Sequence, residues 1–183
     1  MAEKTHMNRH NSRKTVFTLL YTKEFYPELD GREFLQASAE AAESTYNVYI
    51  VDTFLGAASH QAEIDKEIET YAVKWKVSRM AKVTRSILRL AVFEMLFAQV
   101  STPPKVLINE AVELAKEYDD DVAPTFINGI LHRVALEHGL FNDQQSPADI
   151  SDAEQSDTKA FDEEQLNAEN TTDPAPTAEE ANV

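Results

Sequence analysis

No cysteine occurs in the 183 residues, which excludes disulfide staples and thiolate-held zinc. Glycine is almost as scarce, with four in the chain, and no group of them forms a phosphate-cradling loop. No apolar run approaches the ~20 residues that a membrane span needs. The opening MAEKTHMNRHNSRKT has no apolar core segment, so no secretory signal is expected there. His6, His10, His60, His132 and His138 show no HExxH spacing. Asp119, Asp120 and Asp121 lack the spacing of a calcium loop and read as a solvated turn. The expectation is a cytoplasmic protein without catalytic residues, metal or cofactor.

Hydrophobic residues make up 43% of the chain, enough for one domain with a core and no second large one. The net charge of −15 argues at first sight against nucleic acid. Its distribution reverses that. Residues 1–141 carry 16 Lys+Arg against 20 Asp+Glu, a net of −4, whereas residues 142–183 carry one against 12, a net of −11. Local clusters, not the total, decide where phosphate can bind.

Apolar residues recur at helical spacing throughout and nowhere alternate with period two, so the expectation is an all-α fold of about seven helices. Residues 1–11 read as a mobile basic arm, residues 12–141 as the helical domain and residues 142–183 as a disordered acidic tail. Ser12 is expected to cap a first helix carrying Val16, Leu19, Leu20 and Tyr21. A second spans Arg32 to about Glu43. A third starts near Asn47, taking the β-branched run YNVYIV as helix because its apolar positions continue to Ala58. A fourth runs from about Gln61 through Trp75, and a fifth from Ser78 or Arg79 to Gln99. Thr102-Pro103-Pro104 reads as the start of the sixth, with threonine as cap. The sixth carries Leu107, Ala111, Leu114 and Tyr118 on one stripe. The seventh carries Phe126, Ile127, Ile130, Leu131 and Val134 and stops at His138-Gly139. Two three-helix-like subdomains meeting near Val77 suit this pattern. Gly129 lies inside the last helix, where glycine costs about 1 kcal/mol against alanine, so close packing or a ligand must want bare backbone there.

The words INEAVELAK at 108–116 and FINGIL at 126–131 are specific together. With ILRLAVFEM at 87–95 and a basic N-terminus ahead of LLY at 19–21, they make the chain resemble the bacterial transcription antitermination family NusB. The resemblance implies an all-helical, non-catalytic protein. Its implied partners are boxA-type single-stranded RNA of ribosomal RNA transcripts, the ribosomal protein NusE and the transcription elongation complex.

Three groups then become candidates for RNA. Arg9, His10, Arg13 and Lys14 form the first; Arg9 and Arg13 are four apart and share a face if the helix reaches back that far. Arginine forks suit phosphates and splayed bases. Arg85 and Arg89 lie on a basic stripe with Lys82, a pattern that otherwise marks a solvated face. Thr125, Phe126 and Asn128 open the last helix, where an exposed ring can stack a base; the competing reading is that Phe126 is core. The resemblance further implies that Tyr21 and Thr84 face the ribosomal partner. His10, Asn11, Thr84, Val122 and Thr125 depart from the family's usual charged residues, which implies weaker electrostatic contacts. The alternative function is a protein–protein module, a homodimer with the same surface buried and RNA binding weak or absent. A third reading is the NusB-like domain of a ribosomal RNA methyltransferase, but the acidic C-terminal region shows no cofactor-binding pattern.

Overall fold

The computed structural model describes residues 8–72 and 75–141. The expected tail at 142–183 and arm residues 1–7 lie outside the described residues. Seven α-helices follow in order: α1 Arg9–Lys23, α2 Gly31–Ala41, α3 Val48–Ser59, α4 Gln61–Tyr71, α5 Lys82–Leu96, α6 Pro104–Tyr118 and α7 Ala123–Glu137. A short 3-10 turn, Val77–Arg79, precedes α5. No strand occurs among the described residues.

Capping chemistry sets several of the ends. Asn8, not Ser12, caps α1 by accepting from the Asn11 N–H, so the helix begins three residues before the expected cap. Ser12 is instead buried, and its hydroxyl accepts from Asn47 of the α3 cap at 3.1 Å. Asp30 and Glu33 form a reciprocal capping box at α2, a D-x-x-E signal that the sequence reading passed over. Asn47 caps α3 as expected, and YNVYIV is helical from Val48 onward. Thr102 does not cap α6: Pro103 occupies the cap position and Pro104 the first turn, where its missing N–H costs nothing. Asp120 accepts from the Val122 and Ala123 N–H groups at 3.1 and 2.8 Å, closing the start of α7. Gly139, at φ 61°, ends that helix in the left-handed region.

α5 is the central element. Ile87, Leu88, Leu90, Ala91, Val92 and Phe93 are all buried on it, too many for one stripe, because helices lie against it on several sides. α1, α2 and α3 pack on one another, and α6 and α7 on one another, with α5 serving both groups. α4 packs against α5 and α7, so the expected division at Val77 shifts to before α4. α4 stops at Tyr71, and Trp75 lies in the connection, partly buried against the core.

Gly129 is half-buried on α7. Gly56 on α3 is under steric demand: a Cβ there would lie 2.2 and 2.5 Å from two ring carbons of Phe93 on α5. Tyr118, expected on the core stripe, is 42% exposed and covers Phe17 from outside, ring centroids 5.0 Å apart.

Candidate nucleic-acid interface

The first candidate group lies along one end of α1, and three of its four members are paired with acids more than eighty residues away. Arg13 is 4% exposed. Its guanidinium donates to both carboxylate oxygens of Glu94 on α5, at 2.8 and 3.1 Å, and lies 3.4 Å from Glu110 on α6. Burial would lower the Arg13 pKa, but the Glu94 bond and charge outweigh it and raise it. His10 bonds Glu110 at 3.0 Å through Nδ1. Lys14 donates to both oxygens of Glu117 at 2.6 and 2.8 Å, which raises the lysine's pKa and lowers the glutamate's. The expectation that Arg13 is an exposed partner of Arg9 is therefore corrected. One turn along α1 from Arg9, it is a core cation, with Glu94 of α5 and Glu110 of α6 beside it.

Arg9 is different. It is exposed and lies over the ring of Tyr49 on α3, its guanidinium carbon 4.0 Å from the ring centroid. Tyr49 donates its hydroxyl to Glu94 at 2.9 Å. Burial first, and then the Glu94 charge, push the Tyr49 phenol far above its ordinary range, so it remains a donor.

Arg85 and Arg89 do not form a solvated basic stripe. Both bond Glu24 just past the end of α1, and Arg89 also forks onto Asp65 of α4 at 2.6 and 2.7 Å. Arg89 is buried. Its burial would lower its pKa, but Asp65 and Glu24 raise it. α1 and α5 run antiparallel, since Arg13 meets Glu94 and Glu24 meets Arg85. Arg13 and Glu24 are eleven residues apart on α1, about 16 Å at the helical rise. The structure thus separates the two basic groups rather than merging them.

At the start of α7, Thr125 is exposed, while Phe126 and Asn128 are half-buried. Phe126 packs against the core with part of its ring. The end of α6 is held beside α1 by Phe17–Tyr118 and Lys14–Glu117, so α7 begins on the side where α1 presents Lys14.

Of the two expected partner-facing residues, Tyr21 is half-buried between Phe17 and Phe25, at 6.2 and 5.3 Å. Thr84 is buried, and its hydroxyl donates to Asp119 at the end of α6 at 2.5 Å. The residues that sequence reasoning missed are Tyr49, Glu94 and Glu110. Tyr49 falls between the apolar positions that set the period of α3, and nothing local marks Glu94 or Glu110 as countercharges.

No group of three or more His, Asp or Glu side chains suited to a metal occurs among the described residues. No described helix is long and apolar enough to cross a membrane.

The fold and sequence have known counterparts. A structure of NusB from T. maritima matches with a TM-score of 0.62 and 33% identity over 71% of this chain and 92% of that one. A crystal structure of the antitermination factors NusB and NusE in complex with dsRNA matches with a TM-score of 0.61 and 29% identity, over 70% and 96%. The transcription antitermination protein NusB of Thermoanaerobacter sp. is 36% identical over 146 residues, 73% of this chain and 94% of the relative. That of Bdellovibrio bacteriovorus is 35% identical over 130 residues, 71% and 96%. The NusB family model matches residues 10–136, from the paired histidine on α1 to the end of α7. The chain belongs to the NusB family.

Proposed function

We propose that this chain is a transcription antitermination factor that binds boxA-type single-stranded RNA of ribosomal RNA transcripts together with the ribosomal protein NusE, within the transcription elongation complex in the cytoplasm. The family match across all seven helices carries the reading. The role is assembly, with no bond made or broken by the chain. Arg9 supplies an exposed guanidinium for phosphate. Thr125, Phe126 and Asn128 offer a hydroxyl, a partly open ring and an amide for unstacked bases. Tyr21 and its aromatic neighbours are the proposed NusE-facing surface.

His10, Arg13 and Lys14 already sit on carboxylates, so they release few counterions when RNA arrives. Intrinsic RNA affinity is then modest, and partner contact raises it through linkage. The test is RNA binding with and without NusE at two salt concentrations. The expected result is weak binding alone, markedly tighter binding with NusE, and a slope near 0.7 for each phosphate contacted. The same internal neutralisation favours a second reading, a homodimer whose interface covers the α1 face. No RNA binding under any condition, with a dimer by sedimentation, would establish that reading instead.

A further inference from the structure

Four helices converge on a chain of contacts that ends at Arg9. Arg13 of α1 forks onto Glu94 of α5, and Glu94 is 6% exposed. Glu94 accepts the hydroxyl of Tyr49 on α3, and the Tyr49 ring lies under the Arg9 guanidinium. On the other side Arg13 approaches Glu110 of α6, which also takes His10. The Arg13–Glu94 pair at its centre is buried, whereas Arg9 at its end is exposed.

We infer that Tyr49 is a positioning residue for RNA, its ring holding the exposed Arg9 guanidinium ready for phosphate while its hydroxyl is pinned by the buried Glu94–Arg13 pair. This rests on the RNA-binding reading. An arginine stacked on an aromatic face keeps its in-plane N–H donors available and loses less side-chain freedom when a phosphate arrives. A carboxylate partner would have done the opposite, occupying the fork as Glu117 occupies Lys14. The ring holds the cation without consuming its donors.

Ring and hydroxyl have separable roles. Tyr49→Phe keeps the stacking face and removes the bond to Glu94. Tyr49→Leu removes both. The experiment uses the full chain and a labelled boxA-type single-stranded RNA at low salt, with melting temperature read on every variant. Tyr49→Phe is expected to melt lower and, with the stacking face kept, to bind RNA more tightly than Tyr49→Leu does. Tyr49→Leu is expected to lose roughly two- to fivefold in affinity, the worth of an exposed cation–π contact. Arg9→Ala is expected to lose at least as much and to flatten the salt slope by about 0.7. The double variant Arg9→Ala with Tyr49→Leu is expected to bind no more weakly than Arg9→Ala alone, because the ring acts through the guanidinium.

A Tyr49→Leu loss that recurs undiminished without Arg9 would overturn the inference and leave the RNA reading intact. So would unchanged binding in Tyr49→Leu or in Arg9→Ala. Failure of the parent protein to bind RNA with or without NusE would remove the reading itself and the inference with it.

Discussion

A guanidinium taken out of water stays charged only where carboxylates replace its hydration, and a carboxylate stripped of that partner is left in a medium that disfavours it. Arg13 and Glu94 are each about 5% exposed in their side chains, so each is the other's solvent. Arg13→Ala is expected to destabilise the fold by about 3–5 kcal/mol, the cost of leaving a buried charge unpaired. Arg9→Ala, at an exposed position, is expected to change stability by less than about 0.5 kcal/mol. Chemical denaturation of the two variants side by side checks both; equal small losses would show that Glu94 finds water in place of Arg13. Glu24 adds a pH signature. Burial would raise its pKa, but Arg85 and Arg89 outweigh burial and hold it below the ordinary 4.5. The unfolded chain therefore takes up this proton first as pH falls, so the stability that Glu24 contributes is present above about 4.5 and is lost as pH drops through its lower folded value. Glu24→Gln is expected to melt below the parent at neutral pH, with the gap narrowing as pH is lowered past about 4.5. A gap independent of pH would assign the loss to packing.

Helices meet only as closely as their side chains permit, and α3 meets α5 at a glycine. Alanine at Gly56 gains about 1 kcal/mol of helix propensity but drives a methyl into the buried Phe93 ring. Phe93 has little room to yield, since His60 and Phe97 lie against it at 6.2 and 6.4 Å. Overpacking of this kind costs about 1–3 kcal/mol, so Gly56→Ala is expected to lower the melting temperature. A rise would show that Phe93 moves aside freely. This is the scale at which the sequence was most legible. The seven helices follow from apolar spacing, and the α3 and α7 starts from Asn47 and the acidic turn. What spacing does not carry is contact between distant segments. Arg13, Arg85 and Arg89 look like surface cations on a helical wheel because Glu94, Glu24 and Asp65 lie 81, 61 and 24 residues away. The exposure of Arg9 was legible in the sequence; which carboxylate occupies which cation was not.

At the scale of the whole chain, charge is divided between two stretches. The helical part through residue 141 is within four charges of neutrality, and the 42 residues after it carry net −11. Those residues lie outside the described structure, and their charge is read from the sequence. A tethered anionic segment is available to exposed cations at a higher effective concentration than RNA phosphates in solution. On charge alone, residues 142–183 are expected to reduce non-specific RNA binding. Removing them is expected to leave the melting temperature almost unchanged, because their sequence carries no sustained apolar stripe to bury. The same truncation is expected to tighten RNA binding, most at low salt, where the screening length is greatest. With Arg9→Ala added, the gain should shrink, since the segment and the RNA would compete for the same guanidinium. Equal affinities for the full and truncated chains at low salt would mean that the acidic segment leaves the RNA surface alone and serves solubility only.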